Sequence, residues 1–507
     1  MNQKRKEIIH KLSCLSLSVA VLFASGGCGS VGYEGFSIPE QGESTLVPVE
    51  DIVIYNVYEG VEPTKEETQA VFASEDGVCV IEKKESYFDI TLNYELAESL
   101  YQDKTVEEAG GRYRDVADDE AGEGFDQDIA ADETLGSFYR VGAAYGEAIL
   151  QMIPDYGARI EPYLYENIKA AFPAMDVDYS EILYRADTLK ASLPEDYREE
   201  LQGLADTLGS GEGFQEDGSL SRDELIILQM VADALRPTAC SAISLGKSKM
   251  ESGERLSCRI LEWNLGSTNQ LNDTHAVLHM IHGEKSMTVV TFLGMMSILT
   301  AVNDDGVMVG EFDVGSKEPF ICEGKTCYSY GIRYAMEHYI TAKEAGEYLV
   351  EQCRNYTFTV NILLTDREDA YAAELCVRES DGTPRLRDGS SVLHPGLEWD
   401  NPDTLCIVNA FALDGNSDQM TASPDNLVRW KRFNRLFGTE EKISVDRFKE
   451  LITSEAAENQ DTFVKIRGME VVHLVIVDYD THQIQAVFSG EKGSVNTPEF
   501  IDLGTYD

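Results

Sequence analysis

The spacing of apolar residues changes at Thr238-Ala-Cys240, and that change constrains the architecture more than any other feature of the chain. From Gly136 to Arg236 apolar positions recur three and four residues apart, in Tyr139–Met152, Ile160–Phe172, Ile182–Leu193, Tyr197–Leu208 and Glu224–Leu235. That is the period of helices with one buried face. Pro194 suits the first turn of one of them. After Cys240 strand-like runs take over: Ser241–Leu245, Leu256–Trp263, Ala276–Ile281, Met287–Leu293, Ile298–Val302 and Val307–Phe312. Thr341-Ala-Lys-Glu344 is a capping box that predicts a helix over Ala342–Cys353. Strands resume at Phe358–Leu364, Tyr371–Val377 and Leu405–Phe411. Ser423 as cap and Pro424 in the first turn open a helix that carries Arg429 and Arg432, and Val445–Ile452 reads as another. Val471–Tyr479 and Gln483–Phe488 form a last hairpin around Asp480. No internal repeat of fixed period is visible. This order predicts an α+β chain whose sheets are covered by helices.

The 507 residues leave room for additions before that unit. Lys4, Arg5, Lys6 and Lys11 precede a short apolar stretch, Leu15–Ala24, and then Ser25-Gly-Gly-Cys28. Residues 1–27 resemble a bacterial lipoprotein signal that leaves Cys28 lipidated as the mature N-terminus. Such signals usually carry Leu where this chain has Ser25, so an ordinary cleaved signal peptide is the alternative. Residues 28–49, rich in Gly, Ser, Pro and Glu, read as a flexible tether. Residues 50–135 form an N-terminal extension with two strand-like stretches, Ile52–Val57 and Tyr87–Tyr94. It ends in an acidic run, 102–134, expected to be a solvated loop. No later segment has eighteen consecutive apolar residues. The net charge of −48 repels nucleic-acid phosphates and anionic lipid surfaces alike. The chain is therefore expected to be exported to a bacterial cell surface, to meet the membrane only through lipid at Cys28, and to bind no nucleic acid.

Ten cysteines are present. Cys322 and Cys327 are separated by four residues, and both a disulfide and two free thiols are open for them. A single such pair is too little for zinc. Cys258, Cys376 and Cys406 lie in apolar runs and read as buried thiols. His275, His279 and His282 suggest a metal cluster by composition, but on a strand a four-residue spacing puts side chains on one face and far apart. No metal and no cofactor is expected. Asp366 and Glu374 flank a predicted hairpin and read as structural. Cys240 differs from the other thiols because it lies at a helix-to-strand transition beside small polar residues.

Several stretches, in order, carry a family likeness. Gly136-Ser-Phe-Tyr-Arg-Val-Gly142-Ala-Ala-Tyr-Gly146 is a Gly-rich start to the first helix, and Leu193 to Asp206 resembles the helix that precedes a processing site. Thr238-Ala-Cys240-Ser-Ala resembles the junction at which a nucleophile is released. Arg259-Ile-Leu-Glu262-Trp263 resembles an Arg-Asn-x-Asp-Trp signature. Gly294, then Thr300-Ala-Val-Asn303-Asp-Asp-Gly306, resembles a Gly…Gly-x-Asn-x-x-Gly segment. Cys406-Ile-Val-Asn409-Ala-Phe resembles a Thr-Asn-His strand, and Arg429-Trp-Lys-Arg432 the Arg-bearing helix after it. Over most of residues 136–490 the chain thus resembles the penicillin acyltransferase-like family of autoproteolytic cysteine acyltransferases and hydrolases. Choloylglycine hydrolases, acid ceramidase and N-acylethanolamine amidase are relatives of that family.

The resemblance implies a four-layer αββα sandwich of the N-terminal-nucleophile (Ntn) hydrolase type, with a helical segment (136–239) before the processing site and a catalytic core (240–507). It also implies cleavage of the Ala239–Cys240 bond and a site of Cys240, Arg259, Glu262, Asn409 and Arg429 acting on a small-molecule linear amide. The chemistry agrees. A thiol needs a base, and a freed α-amino group, with a reference pKa of about 7.7–8.0, is one. Inside the uncut chain that nitrogen is a non-basic amide, so cleavage switches the site on. The small Ala239 leaves room for Cys240 to attack its carbonyl. Asn409 is expected to donate to the oxyanion, Arg259 to lower the thiol pKa and orient substrate, Glu262 to accept from the new amino terminus, and Arg429 to bind an acyl or carboxylate group.

Ile260, Glu262 and Ala410 depart from the family's Asn, Asp and His. Arg259 and Glu262, three apart on a strand, face opposite sides unless the strand bulges. Each residue also has a plainer role open to it. Cys240 would be a buried thiol, Asn409 a strand-end hydrogen-bonder, Arg259 an ion-pair partner of Glu262, and Arg429 a surface helix charge. Two further functions stay open: an acyltransferase using the same thioester, and a surface lipoprotein that binds an acyl ligand without turnover.

Overall fold

Among the described residues three strands come first: β1 (Val71–Ala73), β2 (Cys79–Lys83) and β3 (Phe88–Asn93). A helical stretch at 94–100 follows, and then α1 (Ser137–Met152), α2 (Tyr156–Met175), α3 (Tyr179–Ser192), α4 (Glu195–Leu208), α5 (Arg222–Gln229) and α6 (Val231–Leu235). Then come β4 (Thr238–Leu245), β5 (Leu256–Trp263), β6 (His275–His282), β7 (Lys285–Phe292), β8 (Thr300–Asn303) and β9 (Met308–Asp313). Helices α7 (Tyr328–His338) and α8 (Ala342–Gln352) lead to β10 (Val360–Thr365), β11 (Ala370–Leu375), β12 (Arg385–Arg387) and β13 (Thr404–Val408). Helices α9 (Pro424–Phe437) and α10 (Val445–Thr453) precede β14 (Lys465–Ile466), β15 (Met469–Asp478), β16 (Gln483–Phe488) and β17 (Ile501–Thr505). These elements are those of a computed structural model, which describes residues 71–100 and 136–506 apart from 176, 236–237, 269, 317–319, 419, 421–423, 440, 454–464, 467–468 and 489–499. The expected signal, tether, Ile52–Val57 strand, acidic run and Ser423 cap lie outside the described residues.

The strands form two sheets in a mixed α/β fold. The larger runs β1-β2-β3-β6-β7-β8-β9-β10-β11-β12, and the smaller β13-β4-β5-β15-β16-β17, with β14 beside β15. Within the larger sheet β3 and β6 pair in parallel, Phe88 opposite Ala276. Residues 71–100, assigned from sequence to an extension outside the core, thus supply three strands of this sheet, and Tyr87–Tyr94 contains one of them. Short β1 and β2 carry too few alternating residues to be read alone.

Alternation along β4 and β5 sets what each face of the smaller sheet meets. Ile243, Leu245, Cys258 and Ile260 pack with Trp430, Phe433, Phe437 and Phe448 of α9 and α10. Cys240, Ala242 and Leu261 turn the other way, into the main core with Val309 and Phe312 of β9. Helices α1, α7 and α8 pack on strands of the larger sheet.

The glycines of the first helix have a packing reason. A Cβ on Gly142 would lie 1.9 Å from the Glu200 carbonyl oxygen, and one on Gly203 would lie 2.0 Å from that of Tyr139. Helices α1 and α4 therefore meet backbone to backbone, as only glycine permits. Gly294, at φ +82°, donates its N–H to Tyr145 Oη at 2.8 Å and accepts from Gln229 Nε2 at 2.5 Å. That turn ties the pre-junction helices to the larger sheet. Asn303 Oδ1 accepts from Val307 N–H at 2.8 Å, while Nδ2 donates to the carbonyls of Met336 and Tyr339.

Two expectations need correction, and one helix escaped the sequence. The helix expected over Glu224–Leu235 breaks at Met230, whose N–H closes a tight turn on Ile227 O at 3.0 Å. Helix α7 was not legible because Tyr, Ser and Gly are weak helix formers. Its N-terminal N–H groups instead find a tertiary cap in the Asp233 carboxylate, 2.7 Å from Tyr328 N. The strand expected over Leu405–Phe411 stops at Val408. Ala410 N–H turns back to Val408 O at 2.7 Å, and Asn361 Nδ2 donates to the carbonyls of Val408 and Ala410 at 3.1 and 2.9 Å. Asn409 therefore stands at the apex of a turn, not within a strand.

Candidate active site around Cys240

Every polar group of Cys240 has a partner from a different element. Cys240 is fully buried on β4, with the chain continuous through it and Ala239 paired to Glu262 of β5. Its backbone N–H donates to Asn409 Oδ1 at 2.7 Å, across 169 residues of sequence. Its Sγ accepts from Arg259 Nη2 at 3.3 Å. Its carbonyl accepts from Arg429 Nη1, which also donates to Ser241 Oγ at 2.9 Å. Arg429 Nη2 donates to Asn409 Oδ1 at 3.1 Å and to Asn426 Oδ1 at 2.6 Å. Asn426 Nδ2 in turn donates to the Asn409 carbonyl at 2.9 Å.

The orientation of the Asn409 amide follows from this network. Two donors converge on Oδ1, and Nδ2 donates to Asp313 O at 2.9 Å. Toward Cys240, Asn409 is thus an acceptor that holds the nitrogen in the uncut chain. The oxyanion-donor role expected of it asks that Nδ2 leave the Asp313 carbonyl.

Arg259 and Glu262 do face opposite sides of β5. The irregularity in register lies on the partner strand, between Val471 and His473 of β15. Arg259 reaches the thiol from the inter-sheet side and also donates to Glu311 O at 3.0 Å. Glu262 lies on the other face, with its Oε2 3.9 Å from Arg429 Nη1. The ion pair of Glu262 is therefore with Arg429, not with Arg259. Arg429 is buried, which corrects the alternative of a surface helix charge. Residue 240 is consequently held from both faces of the sheet, by its sulfur on one and by its main chain on the other.

Burial dominates the electrostatics. It pushes the Cys240 thiol up to about 12; the Arg259 charge opposes that rise, and the carboxylates of Glu311 and Asp313 add to it. In the uncut chain the sulfur is a protonated thiol at neutral pH. Among the described residues Arg259 Nε and Nη1, fully buried, have no hydrogen-bond partner. A buried guanidinium with two unused donor nitrogens beside the thiol suits a carbonyl or carboxylate.

Glu311, Asp313, Asn361 and Asn426 belong to this neighbourhood and were not singled out from sequence. Only Asn426 had a local signal, three residues before Arg429 on one helix face. Glu374 is structural, as expected. Its carboxylate pairs with Arg387 at 3.0 Å and accepts from Ala412 N at 2.8 Å and Asn416 Nδ2 at 2.9 Å, which fixes the chain after Asn409. The three histidines have separate surroundings. His279 bonds Asp89 and Thr288, His275 stacks on Phe292, and His282 stacks on Tyr94. Among the described residues no group of three or more His, Cys, Asp or Glu could hold a metal ion. Among the described residues the eight cysteines, Cys322 and Cys327 included, are buried free thiols.

No family model matches the chain, and no curated protein matches it. Solved structures similar to it include the N-acylethanolamine-hydrolyzing acid amidase ortholog of Caenorhabditis elegans, at 11% identity and a TM-score of 0.33 over 52% of this chain and 100% of that one. A mutant of the conjugated bile acid hydrolase from Clostridium perfringens follows at 12% identity and TM-score 0.32, over 52% of this chain and 92% of that one. A second variant of that hydrolase gives 11% and 0.31 over the same shares. All three are hydrolases by name, and one is an amidase.

Proposed function

We propose that the chain is an Ntn-type hydrolase of linear amides whose nucleophile, Cys240, frees itself by cutting the Ala239–Cys240 bond. One observation carries the reading: the nitrogen, sulfur and carbonyl of Cys240 are each gripped by a different side chain, Asn409, Arg259 and Arg429. An ordinary core cysteine needs no such grip. The αββα layering belongs to the same proposal. Packing of β4 against β9, with α9 and α10 over one sheet and α1, α7 and α8 over the other, supports it.

In self-cleavage the Cys240 thiol adds to the Ala239 carbonyl, and the C–N bond breaks as the thiol proton passes to nitrogen. Water then cleaves the thioester, leaving a carboxylate on Ala239 and a free α-amine on Cys240. Asn409 Oδ1, already 2.7 Å from that nitrogen, keeps the new amine beside the sulfur. An amine titrating near neutrality can take the thiol proton and later pass it to a leaving amine. Arg259 stabilises the thiolate and steers the substrate carbonyl. Asn409 Nδ2, once released from Asp313, or a backbone N–H, serves the oxyanion; one such donor is worth about 2.7–4 kcal/mol. An amine in place of water as acceptor makes the same thioester an acyltransferase. Lipid at Cys28 and export to the cell surface complete the proposal.

Full burial of Cys240 favours one competing reading, a lipoprotein that holds an acyl ligand without turnover. Alkylation at pH 7.5 followed by peptide mapping separates the two. The hydrolase reading expects Cys240 to be modified ahead of the other buried thiols, with loss of amide hydrolysis, and Cys240→Ala to abolish both. Modification of Cys240 no faster than of Cys258 or Cys406 contradicts it.

A further inference from the structure

Strand β4 is paired on both sides only from Ser241 onward. Val408 of β13 stands opposite Ser241, and the register then runs to Leu245. Thr238, Ala239 and Cys240 have β5 as their strand partner, opposite Trp263, Glu262 and Leu261. On its far side β5 is held by β15, with Glu470 opposite Trp263 and Val471 opposite Glu262. A cut between Ala239 and Cys240 would therefore leave Thr238–Ala239 as a two-residue strand end beside β5. The stretch of β5 that they cover would stay fixed from behind by β15.

Self-cleavage and turnover share one intermediate, an acyl group on Cys240 Sγ. In the first case that acyl group is peptide main chain, laid antiparallel along Glu262–Trp263. We propose that the substrates of the processed site are N-acyl amides whose acyl part is itself an extended peptide of at least two residues. Such a peptide replaces Thr238–Ala239 on β5 and delivers its last carbonyl to Cys240. This inference rests on the cleavage reading above and names its substrate class. The substrate C–N bond breaks as the C–S bond forms, the thiol proton leaves on the amine through the Cys240 α-amino group, and water returns the thiol and a carboxylic acid. The choice of a peptidic over a hydrocarbon acyl group comes from burial. Glu262 and Trp263 are 1% and 0% exposed. Main-chain groups on such an edge lose their partners when Thr238–Ala239 departs, and an alkyl chain cannot replace them. A peptide does so by strand addition.

The test uses purified protein already shown by mass spectrometry to contain a fragment beginning at Cys240. N-acetyl-Thr-Ala p-nitroanilide is compared with hexanoyl p-nitroanilide, which carries the same scissile bond and no acyl-chain amide. The expected result is a kcat/KM at least tenfold higher for the peptide. Processed protein that hydrolyses the hexanoyl compound equally well, or neither compound, overturns this inference alone. Absence of the Cys240 fragment overturns the cleavage reading and this inference with it.

Discussion

Gly310 has no side chain where Arg259 crosses from one sheet to the other. A Cβ there would lie 2.6 Å from Arg259 Cγ. Gly310→Ala should therefore shift the guanidinium off the Cys240 sulfur. Overpacking of this kind costs about 1–3 kcal/mol, and we expect the Cys240 fragment to appear at least tenfold more slowly from a protein whose circular dichroism is unchanged. An unaltered rate of fragment formation would remove Arg259 from the account. The residues that meet at Cys240 were only partly legible in sequence. Arg259, Glu262, Asn409 and Arg429 carry recognisable neighbours; Arg259, Asn409 and Arg429 contact Cys240, while the Glu262 carboxylate meets Arg429 on the other face of β5. Gly310, Glu311 and Asp313 lie in a strand that carries no motif of its own. They reach the site through the stacking of one sheet on another, which no local pattern encodes. The Asn409 amide orientation was illegible for the same reason, being fixed by Asp313 and Arg429 from two other elements.

At the scale of elements, α7 depends on a side chain that lies 95 residues earlier, Asp233 on α6. Its carboxylate is fully buried and accepts from Tyr328 N, Ser329 N and Ser329 Oγ. Burial nevertheless lifts its pKa from an ordinary 3.8 to about 7. Between those two values the folded protein keeps a proton that the unfolded chain releases. Stability from this group is then greatest at low pH and declines as pH rises toward 7, with no further loss above it. Asp233→Asn still accepts from Tyr328 N–H and carries no charge. Urea midpoints measured from pH 4 to 8 should show the variant gaining on the native protein as pH rises, with the gap levelling above 7. Parallel curves would show that burial does not hold the proton. Long amphipathic helices and buried strands were readable here because their period repeats over several turns or alternations. Helix α7 and the end of β13 were not, because a distant carboxylate creates one and the Asn361 amide helps to set the other.

Across the whole molecule the two sides of the proposed cut are interlocked. Arg333 of α7 is fully buried against Glu200 of α4, with Nη2 to Oε1 at 3.0 Å, and also donates to Tyr94 Oη, the residue after β3. Removing one partner of such a pair leaves a buried charge alone, at about 3–5 kcal/mol. After cleavage the two pieces should co-elute on native gel filtration, and Arg333→Ala should separate or unfold them. Pieces that part in the native protein would contradict this interlocking. Sequence placed the helical segment before the junction and the strand-rich core after it. It could not place β1–β3 in the larger sheet, since the one link, the parallel pairing of β3 with β6, spans almost two hundred residues. The central claim is that Cys240 becomes a chain terminus with a free amine beside its thiol, and the mass of the purified protein under denaturing conditions tests it most directly. The account predicts two species, one beginning at Cys240, from the native chain and a single uncut species from Cys240→Ala; a native chain that stays whole would contradict it.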